Sequence, residues 1–162
     1  MDDATRRSLL ATYRQGYAAV VDALAGASDA DLDRRSEPGE WTAREVVHHL
    51  ADSEMTSAIR LRRLLAEDEP VIAGYDEAEF ARRLFYDREI EPSLAAFRGA
   101  RESSAAILDR LTEREWARRG THTESGAYGV ETWLEIYAAH AHDHADQIRR
   151  ARGETSLLGS AE

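Results

Sequence analysis

Apolar residues recur every three or four positions in four long stretches of this chain, and each stripe predicts a helix with one buried face. The first, Leu9, Leu10, Tyr13, Tyr17, Val20, Val21 and Leu24, predicts a helix over 3–26 with Gly26 as its stop. SDADLD (28–33) reads as a polar turn or a single helical turn. SEPGE (36–40) reads as a loop broken by Pro38 and Gly39. The second stripe, Val46, Leu50, Ala58, Leu61 and Leu65, predicts a helix over 42–66. Thr42 and Glu45 form a capping-box pattern at its start, and Trp41 is placed to staple the entry onto Val46. Residues 67–75 read as a linker and 76–88 as a shorter amphipathic helix with Phe80, Leu84 and Phe85. Pro92 opens a third long helix that runs to about Leu111, with Leu94, Phe97, Ala105, Leu108 and Leu111 inward. TEREW (112–116) reads as a helical turn around Trp116, and GTHTESGAYG (120–129) as a Gly-rich loop carrying His122. The fourth helix begins near Val130 and stops at Gly153, leaving 154–162 as a frayed tail. No segment shows the alternation of a strand, and there is no repeat. Four helices of about 20 residues predict an all-α four-helix bundle in one domain, with the long connection through 67–90 as a crossover.

The fourth stripe carries unusual residues. Val130, Trp133, Tyr137, His140, His144, Ile148 and Ala151 step by three or four throughout, so two imidazoles stand on an otherwise apolar face. At about 100° per residue, His140 and His144 point the same way one turn apart, while His142 points to the other side, exposed or at an interface. Two histidines four apart can both reach one metal ion. They can equally be core histidines bonded to neighbours. A third ligand would come from the second helix, where His48 and His49 point about 100° apart. His49 lies at the edge of the buried stripe between Val46 and Leu50. His48 falls nearer the polar flank with Glu45 and Asp52, so the spacing favours His49.

Composition narrows the chemistry. A chain of 162 residues, 43% apolar and 32% charged, fits one globular domain. No apolar run of roughly 18 residues offers a membrane span, and MDDATRRSLL lacks a signal-peptide layout, so a cytoplasmic location is expected. There is no cysteine, hence no disulfide, thiolate ligand or cysteine nucleophile. Every basic side chain is arginine, which removes lysine chemistry. A net charge of −10 with scattered arginines offers no basic face for nucleic acid or for an anionic membrane.

WTAREVVHHLADSEMTSAIR on one helix, YDE after the linker and YAAHAHDHADQI on the last helix together resemble the DinB-like superfamily. The nearer likeness is to its YfiT-like branch of metal-dependent hydrolases, which takes in bacillithiol S-transferases. The resemblance covers about residues 10–150. It implies a four-helix bundle with a divalent metal, nickel or zinc, held between helices near one end, and a homodimer. It implies His49, in His49-Leu50-Ala51-Asp52, as one ligand, and the HxxxH pair His140 and His144, ahead of Gln147-Ile148, as the other two.

Three neutral imidazoles would leave such an ion with an open position, the layout of a catalytic site. Two reactions follow. The ion can lower the pKa of a bound water for hydrolysis, or bind a low-molecular-weight thiol cosubstrate as thiolate for transfer to an electrophile. The resemblance favours the thiol S-transferase. A bundle that binds metal or a small ligand without turnover is the reading from another class, and a purely structural role for the histidines is the third. Around the ligands, Glu45, Asp52, Asp143 and Gln147 are spaced to orient the imidazoles, though each also suits a solvated helix face. Arg60 and Tyr75 could meet an anionic substrate at the bundle mouth, though a surface ion pair is the favoured reading of Arg60. His122 reads as a solvated loop histidine, with an acid or lid role over the site as the other reading, and Trp41, Trp116 and Trp133 as core or staple residues.

Overall fold

A computed structural model describes residues 1–154. Its long helices are α1 (Asp3–Ala23), α3 (Ala43–Ala66), α5 (Glu91–Leu108) and α7 (Val130–Ala151), with short helices α2 (Asp29–Leu32), α4 (Glu77–Arg83) and α6 (Glu113–Trp116) between them. α1 packs on α7, α7 on α3, α3 on α5 and α5 on α1, which closes a four-helix bundle. None of the described helices is long and apolar enough to cross a membrane.

The helix starts follow their side chains. Asp2 accepts from the Thr5 N–H at 2.8 Å and caps α1. At α3 the Glu45 N–H donates to Thr42 Oγ1 at 3.1 Å and the Thr42 N–H donates back to Glu45 Oε2 at 2.8 Å, the reciprocal box that the sequence predicts. Pro92 sits in the first turn of α5, where its missing N–H costs nothing. SDADLD becomes α2 through a second capping box, between Ser28 and Asp31.

The core has two halves. One gathers Val46, Val47, Leu50, Phe97, Ala145 and Ile148; the other gathers Tyr13, Leu61, Leu64, Leu108, Trp133 and Leu134. Polar groups of the bundle interior include Glu54 and Arg101, which are 0% and 3% exposed and 2.6 Å apart. Arg101 also donates to the backbone carbonyls of Tyr13 at 2.6 Å and Tyr137 at 3.1 Å, so it ties α5 to α1, α3 and α7. Gly16 makes room for it: a Cβ there would lie 2.7 Å from both Arg101 Nη2 and Ala141 Cβ.

Several expectations need correction. The chain contains strands after all: β1 (Val71–Ile72), β2 (Arg119–His122) and β3 (Gly126–Gly129) form a sheet of order β1-β2-β3. β1 pairs parallel with β2, Val71 opposite Thr121, and β2 pairs antiparallel with β3. Strands of two and four residues are too short to write an alternation into the sequence. The stretch 120–129 is therefore largely a hairpin that runs into α7, and His122 is buried on β2 instead of solvated. The helix expected over 76–88 stops at Arg83. Phe85 follows with φ of +55° and is 75% exposed, so it does not join the core. α1 ends at Ala23 and α5 at Leu108, each three residues short of the expected limit. His48 is fully buried instead of flanking solvent: its Nδ1 meets Ser93 Oγ at 2.8 Å and its Nε2 the Arg88 carbonyl at 3.0 Å. The frayed tail expected beyond Glu154 lies outside the described residues.

Candidate metal centre

His49 stands on the second turn of α3, and His140 and His144 one turn apart from the middle of α7 onward. Because α3 and α7 pack together, one ring nitrogen from each of the three lies within 4.8 Å of the others. The ring of His49 is 5.5 Å from that of His140 and 4.8 Å from that of His144, centroid to centroid. His140 Nε2 and His144 Nε2 are 3.1 Å apart. The three residues brought together are the three that the resemblance implies, and His48 is not among them.

The tautomers can be assigned from the neighbours. His144 Nδ1 donates to Gln147 Oε1 at 2.7 Å, since an amide oxygen only accepts. That leaves the His144 Nε2 lone pair aimed at His140 Nε2. His49 Nδ1 and His140 Nδ1 are buried with no partner. A cluster of lone pairs with orphaned ring nitrogens suits a borderline cation, which accepts the inward nitrogens together. Burial, with the neighbouring imidazoles adding to it, pushes the pKa of His49 and of His140 down to about 3. Burial also lowers His144, while its bond to Gln147 opposes the shift. All three are neutral at pH 7, the state a metal ligand requires.

The triad opens on a cleft of about 360 Å³ lined by Gly39, Glu40, Trp41, Glu77 and Gln147 as well as the imidazoles. Trp41, half-buried, sets its ring edge against His49 at 4.9 Å between centroids, so it serves as a wall of the cleft. Burial raises the Glu77 carboxyl and Glu124 raises it further, while Arg60 opposes both. Helical spacing gives Glu77 no role, because it arrives from the crossover and not from the bundle helices, although the YDE stretch in the family resemblance includes it.

The other expected neighbours are employed elsewhere. Asp52 accepts from the Tyr86 hydroxyl at 2.7 Å, Glu45 serves the α3 cap and pairs with Arg35, and Asp143 is exposed. Only Gln147 of the four bonds to an imidazole of the triad. His142 is half-buried, with Nε2 3.0 Å from the Thr12 carbonyl on α1. His122 accepts the Glu124 N–H at 3.3 Å beside Tyr128, away from the triad cleft lining. Trp116 and Trp133 are core residues, and the Trp133 indole donates to the Ser57 carbonyl at 2.8 Å.

A profile of the DinB superfamily matches residues 12–148. A protein of Oceanobacillus iheyensis is 36% identical over 121 residues, 75% of this chain and 70% of its own length. YfiT of Bacillus subtilis is 36% identical over 124 residues, 75% of this chain and 69% of its own length. Both carry the name "Putative metal-dependent hydrolase". The solved structure of YfiT superposes with a TM-score of 0.87 at 29% identity, over 96% of this chain and 91% of that one. It too is a four-helix bundle, of unusual topology.

Proposed function

The chain belongs to the DinB superfamily, and on that footing we propose that it is a metal-dependent enzyme whose divalent cation, zinc or nickel, is held by His49, His140 and His144. The observation that carries this reading is the convergence of three inward ring nitrogens within 4.8 Å at one open cleft. When bound, the cation supplies Lewis acidity and lowers the pKa of a small nucleophile. The chain does the rest. Gln147 holds His144 in the tautomer that presents Nε2, burial keeps the imidazoles neutral, and Trp41 shields one side of the cleft. Glu77 is the cleft carboxylate with a raised pKa, and it takes the proton that the nucleophile gives up.

The reaction we read is S-transfer. A low-molecular-weight thiol gives its S–H proton to Glu77, its sulfur bonds to an electrophilic carbon, and the leaving group departs with the proton. The likeness to a branch that includes bacillithiol S-transferases supports this, and a chain without cysteine offers no competing thiol. Hydrolysis in the same cleft is the second reading, favoured by the names that the relatives carry.

Metal analysis of untagged protein, purified without chelator or nickel resin, tests the centre. About one equivalent of zinc or nickel is expected, and none in the His140→Ala/His144→Ala variant. A parent that neither holds nor takes up either ion overturns the proposal. Turnover of an electrophile that requires added thiol separates S-transfer from hydrolysis.

A further inference from the structure

Directly alongside the triad lies a second polar group of side chains that metal binding does not use. Tyr137 sits one turn before His140 on α7, with ring centroids 5.8 Å apart. Its hydroxyl accepts from Arg60 Nη1 at 3.2 Å. Arg60 Nη2 donates to the Ala73 carbonyl at 2.9 Å, and the guanidinium carbon stands 5.8 Å from the centroid of the Tyr75 ring. Two further phenols, those of Tyr75 and Tyr128, crowd around it. Tyr128 is 4% exposed and faces both Arg60 and Tyr137. Ser53, one turn after His49 on α3, faces Tyr75 and Tyr137.

The group holds an excess of donors. Arg60 Nε, Tyr75 Oη and Tyr128 Oη are all buried without a hydrogen-bond partner. No carboxylate among the described residues pairs with Arg60 within salt-bridge distance, and its two bonds go to a neutral hydroxyl and a carbonyl. Buried donors left unpaired around one guanidinium call for an acceptor that carries charge. The group borders the triad through Tyr137, which accepts from Arg60 and has its ring 5.8 Å from that of His140. The crossover holds it in place. The Gly74 N–H donates to Thr123 Oγ1 at 3.0 Å, and Arg63 donates to the Val71 carbonyl at 2.9 Å.

We propose that Arg60, Tyr75 and Tyr128 form a subsite for the carboxylate end of a small-molecule substrate whose reacting centre lies at the triad. This rests on the cleft being the reaction site. The donor set selects the ligand. One guanidinium balances one negative charge, its planar edge matches two carboxylate oxygens, and the phenols add neutral donors. A phosphate dianion beside the Glu77 carboxylate would leave one more negative charge uncompensated than a carboxylate does.

The test needs neither substrate nor bound metal. Sodium acetate is titrated into the protein while the Arg60 Nε–H signal is followed by ¹⁵N–¹H NMR, in the parent and in the His140→Ala/His144→Ala variant. A saturable shift with the same midpoint in both proteins is expected, since the subsite does not depend on the triad. Sodium chloride at equal ionic strength should produce no such shift, and phosphate should bind more weakly than acetate. Tyr128→Phe should weaken acetate binding about fivefold at constant fold. Arg60→Met should abolish it, read on the Tyr75 and Tyr128 ring signals. A shift that never saturates, or one that chloride reproduces, means an adventitious ion only and overturns the subsite. Binding lost in the double-histidine variant assigns the acetate to the metal and also overturns it. Tighter phosphate binding overturns the carboxylate class. None of these outcomes bears on the metal analysis, so the two proposals fail separately.

Discussion

Arg101 on α5 donates to Glu54 on α3 at 2.6 Å with both side chains almost wholly shielded, and no other ion pair among the described residues has both partners so buried. The same guanidinium stands 4.0 Å from the centroid of the Tyr13 ring, and Tyr13 donates its hydroxyl to Glu54 at 2.6 Å. Removing one partner leaves an uncompensated charge in the bundle centre. Glu54→Gln or Arg101→Met should each cost about 3–5 kcal/mol in urea unfolding. The double variant Glu54→Leu/Arg101→Met should recover part of that loss, because two apolar groups leave no orphan. A double-variant loss equal to the sum of the two single losses would show that the pair contributes no coupling.

His48 and His49 are neighbours to which the proposed centre gives opposite duties. His49→Ala should abolish stoichiometric metal and with it the rise in melting temperature on metal addition, which is worth about 2.7 kcal/mol when the ion is at a hundredfold excess over Kd. His48→Ala should keep the metal and lose stability instead, because it strips partners from Ser93 and the Arg88 carbonyl. Metal loss in the His48 variant alone would reverse the assignment.

Gln147 acts through His144. Gln147→Leu should lower metal affinity by about 10- to 100-fold, measured against a chromogenic chelator, with the fold unchanged by circular dichroism. Unaltered affinity would mean that the 2.7 Å bond does nothing for the ligand.

The buried imidazoles give the metal-free protein a defined acid limit. In the unfolded chain they bind protons below about pH 6.5, while in the folded chain His49 and His140 stay neutral down to about 3. The unfolded state therefore takes up more protons as pH falls through 6.5, and stability drops across that window. The slope is about 1.4 kcal/mol per pH unit for each such imidazole. Chelator-treated protein unfolded in urea at pH 7, 6 and 5 should follow this trend, and the His140→Ala/His144→Ala variant should show a shallower one. A flat profile for the parent would contradict burial of neutral rings.

Gly16 is fixed by its neighbours. Gly16→Ala would press a methyl group to within 2.7 Å of Ala141 and Arg101, and should cost about 1–3 kcal/mol despite the better helix propensity of alanine.

The long helices were legible because each buries a continuous stripe. The Thr42–Glu45 box, the inward pair on α7 and the preference for His49 over its neighbour all followed from helical geometry. The crossover was harder. β1 and the hairpin are stabilised by pairing with each other, a long-range relation that local periodicity does not record. His48 misled for a related reason. Its flank is polar in sequence, yet α5 covers it, and Ser93 satisfies it there. Glu77 and Tyr128 reach the neighbourhood of the triad from the crossover and the hairpin, so their roles depended on the three-dimensional arrangement.

Because His140 and His144 share one helix, their separation is set by helical pitch, and the third nitrogen comes from α3 alone. The only free dimension of the centre is then the spacing between two rods. An ion seated there would work as a rivet between α3 and α7, the helices that bracket the crossover, α5 and the hairpin in sequence. Cation size would thus be read out as a shift in the seam between those rods, felt at the Trp41 wall on one side and at Tyr137 on the other.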